Sequence, residues 1–282
     1  MDGTLGGGGH AEYIIGKLDK KATYIGLDQD KEAIEYTKKR LKLYKNIICM
    51  QGNFADLDLI LNRLKINCID GLLLDLGVSS YQIDSVKRGF TYMQNSDLDM
   101  RMGQETSQTA ADLLNTLEEK ELASIFFNYG EERKSREIAR EIVKLRKKQP
   151  INSSEQLKGI INRFIHPRFR IKSYARIFQA LRIAVNHELE KLEVTLEKAI
   201  PLLNRGGRIL VISYHSLEDR IVKNFLRGKA NPCTCPPELP QCVCGLKPEI
   251  KILTHKVLKA SESEIDNNPR ARSALLRVGE KL

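Results

Sequence analysis

The sequence predicts an α/β protein in which a doubly wound, mostly parallel sheet is interrupted by an all-helical insertion. In the first part of the chain, short β-prone runs alternate with stretches of helical periodicity, as in a parallel sheet with helices on its faces. The run at 69–74 is almost continuously apolar, which is typical of a strand buried on both faces. Between 106 and 203 no β-rich run occurs, and apolar residues recur at helical spacing.

The elements of this fold can be placed in chain order. After a glycine-rich loop at 2–10 we predict a helix at 11–18, a strand at 22–27 ending at Asp28, a helix at 31–43, a strand at 46–50, a helix at 54–64 and a strand at 69–74 ending at Asp75. Further along we predict a capped helix start at 152–155, one long helix at 177–203, a strand at 208–213 and an antiparallel pair at 250–258 and 274–278. A glycine loop of this kind normally follows a buried strand, so we expect that an upstream strand is missing from this sequence.

These elements divide the chain into three segments. Residues 1–103 form the first part of the α/β domain, and 176–282 form its second part, with a cysteine-rich loop at 233–244. Residues 104–175 form the helical insertion.

Charge is concentrated in one stretch of the chain. The 282 residues carry a net charge of +10, and residues 131–182 alone hold 15 Lys and Arg against 5 Asp and Glu. This stretch predicts a surface that faces a polyanion, although a solvated helix face is the plainer alternative. No apolar run approaches the ~20 residues that span a bilayer. No secretory signal is evident, so we expect a cytoplasmic protein without membrane contact.

The glycine loop and Asp28 together predict a site for a nucleoside-type cofactor. Glycines let the backbone approach a ligand closely, and the helix that follows offers free N–H groups. An acidic residue at the end of the next strand is placed to accept hydrogen bonds from ribose hydroxyls. The loop lacks the Lys and Ser/Thr of a triphosphate-binding loop, and it is not the usual dinucleotide fingerprint. A tight turn without a ligand remains the alternative.

Asp75 opens a third candidate segment, the string DLGVSS at 75–80. Ligands of open α/β sheets bind outside the carboxyl ends of the strands, so Asp75 is expected to face the same crevice as Gly8 and Asp28. The alternative is that Asp75 only caps the turn that follows.

Four of the six cysteines lie close together, as Cys233, Cys235, Cys242 and Cys244. Four thiolates on two short arms fit one tetrahedral, structural zinc ion. Each C-x-C arm is tighter than the usual C-x-x-C, so paired disulfides or free thiols are the alternatives.

Five strings along the chain resemble one family of enzymes. They are DGTLGGGGH at 2–10, DLGVSS at 75–80, RGF at 88–90 followed by DLDMRM at 97–102, SYHSLEDR at 213–220 and NPRARS at 268–273. In this order they resemble the bacterial methyltransferases that use S-adenosylmethionine to methylate N4 of a cytosine in the decoding region of small-subunit ribosomal RNA. The resemblance covers nearly the whole chain and departs from the family at the N-terminus, where the family's first segment is absent.

The resemblance implies a Rossmann-like doubly wound methyltransferase sheet and assigns roles to individual residues. The cofactor S-adenosylmethionine would be held by Gly8, Gly9, His10, Asp28, Phe54, Asp75 and Gln82. Asp75 is the first catalytic candidate, with Ser79 as a helper, since acceptors for the amino hydrogens of cytosine stabilise the charge that develops on nitrogen. The cytosine side would be lined by Ser213, Tyr214, His215, Arg270 and Arg272.

The partner implied is small-subunit ribosomal RNA or its ribosomal particle, and a homodimer is left open. Phosphate contacts would fall to cations of the helical insertion, among them Lys144, Arg146, Lys147, Lys148, Arg163, Arg168, Arg170 and Lys172, with Phe164, Phe169 and Tyr174 as candidates for base stacking. Two other functions stay open: a DNA amino-methyltransferase with the same cofactor chemistry, and a non-catalytic RNA-binding protein whose cofactor site has decayed.

Overall fold

The computed structural model describes residues 1–103, 106–236 and 243–282. The chain divides into two compact units: the first comprises Met1–Gly77 and Leu189–Leu282, and the second comprises Val78–Glu188. The predicted insertion, 104–175, lies inside the second unit, whose bounds are wider on both sides.

The described residues form strands and helices in the alternation that the sequence predicts. The strands are β1 (Tyr24–Asp28), β2 (Ile47–Gln51), β3 (Ile69–Asp75), β4 (Leu203–Ser213), β5 (Ile250–Ile252), β6 (Leu258–Lys259) and β7 (Leu275–Lys281). The helices are α1 (Gly9–Ile15), α2 (Lys31–Arg40), α3 (Leu57–Arg63), α4 (Ser80–Asp84), α5 (Ala110–Thr116), α6 (Glu119–Asn128), α7 (Ser135–Arg146), α8 (Ser154–Ile161), α9 (Arg170–Asn186), α10 (Glu188–Leu202), α11 (Ser216–Ala230) and α12 (Glu262–Asn267).

The sheet of the first unit is parallel at its centre and antiparallel at one side. β1 pairs with β2 and β3 with β4, both in parallel, whereas β7 runs antiparallel to β4 and to the short strands β5 and β6. The backbone of residues 1–3 lies between β1 and β3. Asp2 N–H donates to Ile25 O at 2.7 Å, and Gly3 N–H donates to Leu73 O at 2.9 Å. Through these bonds, the pair β1 and β2 and the group β3, β4, β5, β6 and β7 form one continuous sheet.

Helices cover both faces of this sheet. Ile25 and Leu27 of β1 belong to the core cluster that contains side chains of α3, α10 and α11. Tyr24, on the opposite face of the same strand, belongs to the cluster formed by α1 and α2. The predicted α/β class with a doubly wound sheet is therefore confirmed.

The prediction of one long helix over 177–203 is wrong. The chain forms two helices there, α9 and α10, separated by His187 in the left-handed conformation (φ 52°, ψ 42°). The preceding residue, Asn186, is buried. Its side-chain oxygen accepts from Met102 N–H at 2.8 Å, and its amide donates to Met100 O at 2.8 Å. These contacts with a distant part of the chain hold the end of α9, which local apolar spacing does not reveal.

The second unit packs its helices around a core of its own. Side chains from α5 to α9 form one apolar cluster, including Leu114, Leu122, Phe126, Ile138, Leu157 and Leu181. The predicted capped start is confirmed at α8, where Ser153 accepts from Gln156 N–H and the Gln156 side chain accepts from Ser153 N–H. Among the described residues, no helix combines the length and the apolar character that crossing a membrane requires.

Candidate active site

The glycine loop is held in place by α2. The hydroxyl of Thr37 donates to Gly6 O at 2.7 Å, and the guanidinium of Arg40 donates to Gly7 O at 2.9 Å. Arg40 also pairs with Glu12 of α1 at 2.7 Å. Sequence reasoning missed Thr37 and Arg40, because their roles depend on how α2 lies against the loop and no local motif marks them.

Asp28 connects this loop to the end of β1. Its Oδ2 accepts from Gly6 N–H and its Oδ1 from Asp30 N–H, both at 2.8 Å. Burial raises the pKa of Asp28 to about 6, although the two backbone hydrogen bonds act in the opposite direction. The carboxylate therefore shapes the loop directly through its contact with Gly6.

Asp75 lies between two side chains that come from distant parts of the sequence. Its Oδ2 is 3.2 Å from Nε2 of His10, and its Oδ1 accepts from the hydroxyl of Tyr214 at 2.9 Å. The hydrogen bond to Asp75 raises the pKa of His10. Burial, together with the charge of Asp75, raises the pKa of Tyr214 well above its usual value, so the phenol stays a donor. The structure thus brings the glycine loop, the end of β1 and the end of β3 together.

A buried carboxylate lies next to this cluster. Asp2 accepts from Thr4 N–H at 3.0 Å and from the Tyr24 hydroxyl at 2.9 Å. Burial raises its pKa. The hydroxyl of Thr4 in turn accepts from Asp75 N–H at 2.6 Å. Thr4 therefore links the buried Asp2 to the end of β3, a role that the sequence analysis did not anticipate.

Three predicted site residues have structural contacts in the first unit. Phe54 belongs to the apolar core and is 9% exposed. Ser213 is buried and donates to Leu275 O at 3.3 Å. His215 caps α11: its Nδ1 accepts from Glu218 N–H at 3.4 Å, and its Nε2 lies 3.1 Å from Glu218 Oε1. Their contacts with cofactor or cytosine stay predictions.

Ser79 and Gln82 belong to the second unit, where they form a reciprocal cap at the start of α4. Gln82 N–H donates to Ser79 Oγ at 3.2 Å, and Gln82 Oε1 accepts from Ser79 N–H at 3.0 Å. Gln82 is largely buried. This cap fixes the geometry of the chain at the end of the DLGVSS string, and the roles predicted for both residues stay predictions.

The C-terminal segment of the first unit contributes charge to the site. Arg270 and Arg272 are exposed on a short 3-10 helix, Pro269–Ser273, which follows α12. Glu264 of α12 adds to the raised pKa of both His10 and Tyr214 through its negative charge. Sequence reasoning missed Glu264, since only tertiary packing places its charge near β3.

The cysteine cluster is only partly described. The sulfur atoms of Cys233, Cys235 and Cys244 all lie within 4.8 Å of one another. Cys242, the fourth predicted ligand, lies outside the described residues.

Replacing Gly8 by Ala is expected to lower the free energy of unfolding by about 1–3 kcal/mol. The φ of Gly8 is 76°, and an added Cβ would stand 2.7 Å from Cγ2 of the buried Thr37. Urea unfolding of the wild-type protein and of the Gly8→Ala variant measures the difference in the free energy of unfolding. Gly9→Ala is the matched control. Its Cβ would meet no described atom within 4 Å, so its stability should stay equal or rise. Equal losses in the two variants would contradict this account of the loop.

The arrangement suits a nucleoside ligand and an amine that is to be alkylated. The loop presents backbone groups at the start of α1, Asp28 offers carboxylate oxygens beside it, and Asp75 offers a carboxylate held from two sides. A positive charge that develops on an amine next to Asp75 would be stabilised there.

Comparison with known proteins identifies the family of this chain. The family model described as the MraW methylase family matches residues 1–282. A "Ribosomal RNA small subunit methyltransferase H" of Clostridium botulinum (strain Loch Maree / Type A3) is 48% identical over 284 residues, covering 100% of this chain and 92% of the relative. Proteins of the same name from Syntrophotalea carbinolica and Carboxydothermus hydrogenoformans are 49% and 48% identical, each covering 100% of this chain and 91% of the relative. The resemblance of the five strings is thereby confirmed, and the chain belongs to the MraW methylase family.

Proposed function

We propose that this protein transfers a methyl group from S-adenosylmethionine to the exocyclic N4 amine of a cytosine in the decoding region of small-subunit ribosomal RNA. The relatives' names specify small-subunit ribosomal RNA as the substrate. The single observation that carries the chemistry is the carboxylate of Asp75, held between His10 and Tyr214 next to the glycine loop.

The residues of the loop fit the cofactor. The glycines let the backbone of the loop come close to the cofactor. Asp28, next to the loop, is the acceptor for the ribose hydroxyls of the cofactor. S-adenosylmethionine supplies a methyl group bound to a positively charged sulfur, which is already activated toward a nucleophile. The protein therefore has mainly to align the amine with that methyl group and to exclude water.

Asp75 is the catalytic residue of this proposal. The amino group of cytosine is a poor nucleophile because its lone pair is delocalised into the ring. A carboxylate that accepts hydrogen bonds from the amino hydrogens makes the nitrogen more pyramidal and stabilises the positive charge developing there. Tyr214 and His10 are positioning residues, since they hold the two oxygens of Asp75.

The second unit supplies cations for the RNA backbone. Arg146 and Arg170 are occupied by main-chain carbonyls, and Arg163 pairs with Glu141. The other predicted cations, Lys144, Lys147, Lys148, Arg168 and Lys172, have exposed side chains. We assign phosphate contacts to these exposed cations.

The candidates for base stacking differ in exposure. Phe164 and Tyr174 pack against the core of the second unit. Phe169 is 57% exposed, and the guanidinium of Arg168 lies 5.8 Å from its ring centre. Phe169 is therefore the stacking candidate of this set.

A transfer assay tests the proposal. Purified protein is incubated with methyl-labelled S-adenosylmethionine and small ribosomal subunits that lack the modification, and the RNA is digested to nucleosides. We expect label in N4-methylcytidine, and none with subunits that already carry the methyl group. Label in duplex DNA would instead indicate a DNA amino-methyltransferase. Binding of RNA without transfer of label would indicate a non-catalytic RNA-binding protein whose cofactor site has decayed.

The same assay separates the finer alternatives. Free small-subunit RNA, run beside the assembled particle, shows which of the two is the substrate. We propose small-subunit ribosomal RNA or its particle as the partner, and the cytoplasm as the location. Sedimentation of the purified protein tests whether it forms a homodimer.

A further inference from the structure

Three cysteine thiols converge in the segment between α11 and β5. The sulfur atoms of Cys233, Cys235 and Cys244 lie within 4.8 Å of one another. In a tetrahedral zinc site with Zn–S bonds of about 2.3 Å, the sulfurs stand about 3.8 Å apart. The three sulfurs thus need to move by only about an ångström to share one ion. We propose that Cys233, Cys235 and Cys244 bind a structural zinc ion.

The local backbone is arranged as a thiolate site requires. Val243 N–H donates to Cys235 Sγ at 3.4 Å, a contact that stabilises negative charge on the sulfur. Gly245 follows directly after Cys244 with a φ of 69°, a left-handed conformation that turns the chain sharply beside the last of the three cysteines.

The ligand set selects the metal. Thiolates are soft donors and favour zinc over magnesium or calcium, which prefer oxygen. A disulfide would join only two of these three thiols, whereas one zinc ion engages all three. The proposed function also places the protein with ribosomal RNA inside the cell, where thiols stay reduced.

The described residues of this segment are mostly exposed. Val243 is 78% exposed and Leu246 is 52% exposed, and most described residues of 231–236 and 243–249 are exposed. A segment that buries so little apolar surface gains stability from a metal ion, because metal binding contributes folding free energy directly.

Metal analysis of the whole protein tests the site. After purification without chelators and dialysis against zinc-free buffer, we expect one equivalent of zinc per chain by mass spectrometry. Cys235→Ser should lose the bound zinc completely. Cys68→Ser, at an exposed cysteine outside the cluster, should retain it. A wild-type protein without zinc, or zinc retained in the Cys235→Ser variant, would overturn the proposal.

A second measurement covers the case in which the serine variant fails to fold. Cobalt added to metal-free wild-type protein should produce an intense thiolate-to-cobalt absorption band in the near ultraviolet, and zinc should abolish it. The absence of this band would equally overturn the proposal. Neither measurement depends on methyl transfer, so the proposed function can fail while the metal site stands.

Discussion

Replacing Asp75 by Asn is expected to lower the rate of methyl transfer about 100- to 1,000-fold, the size of effect seen when one preorganised electrostatic group is removed. Asn keeps the shape of the side chain and an oxygen that accepts from Tyr214, but it removes the negative charge. That charge stabilises the amine only as its bond to the methyl carbon forms. Because Asp75 is also a predicted cofactor contact, the Kd for S-adenosylmethionine should rise as well, but by far less than the rate falls.

Single-turnover assays separate the two quantities, since they measure the rate of transfer with bound cofactor. Asp70→Asn is the matched control, because Asp70 belongs to the same strand, is exposed and accepts from Asn204 at 2.7 Å. This control should transfer methyl at the wild-type rate. An Asp75→Asn variant with an unchanged transfer rate would remove Asp75 from the chemistry.

Replacing Asp28 by Ala is expected to raise the Kd for S-adenosylmethionine about 10- to 100-fold. A hydrogen bond to a charged acceptor is worth about 1.5–3 kcal/mol, and each 1.4 kcal/mol is a factor of ten in affinity. The variant also leaves Gly6 N–H without its acceptor, so the loop loses a support on the cofactor side. Calorimetric titration measures the change, and Glu35→Gln on the exposed face of α2 is the control.

The pH dependence of the same titration tests the state of Asp28. Its pKa is about 6, so the group is a carboxylate above that pH and a neutral acid below it. Affinity should be constant near pH 8 and fall as the pH drops through 6, by up to about tenfold per unit. The Asp28→Asn variant should bind weakly at all of these values without that slope. A wild-type affinity that does not fall below pH 6 would show that the ionised form is not required.

Much of the fold was predictable because its signals are local. The burial of Leu72, Leu73 and Leu74 on both faces of the sheet and the cap at Ser153 follow from short stretches of sequence. The break at His187 could not be predicted in this way. It depends on hydrogen bonds of Asn186 with Met102 and Met100, which lie 84 and 86 positions earlier in the chain. Apolar spacing continues through the break and therefore indicates one helix.

The residues of the candidate site also fall into those that local sequence signals reveal and those that depend on tertiary contacts. The glycines, Asp28 and Asp75 were predictable, because each stands at the end of a strand or at the start of a helix. Thr37, Arg40 and Thr4 were not, because their contacts reach 31, 33 and 71 positions along the chain. Phe54 and His215 take part in core packing and in a helix cap, respectively, and the ligand contacts predicted for them stay predictions.

The sequence by itself determined the α/β class, the order of most strands and helices, and the family, because periodicity and short motif strings are properties of neighbouring residues. Only the tertiary structure decided which groups hold Asp75. Tyr214 stands 139 positions from it and His10 lies on another element. Their contacts exist because the packed sheet places the end of β4 and the start of α1 beside the end of β3. That proximity depends on the summed packing of the whole unit, which no single stretch of sequence encodes.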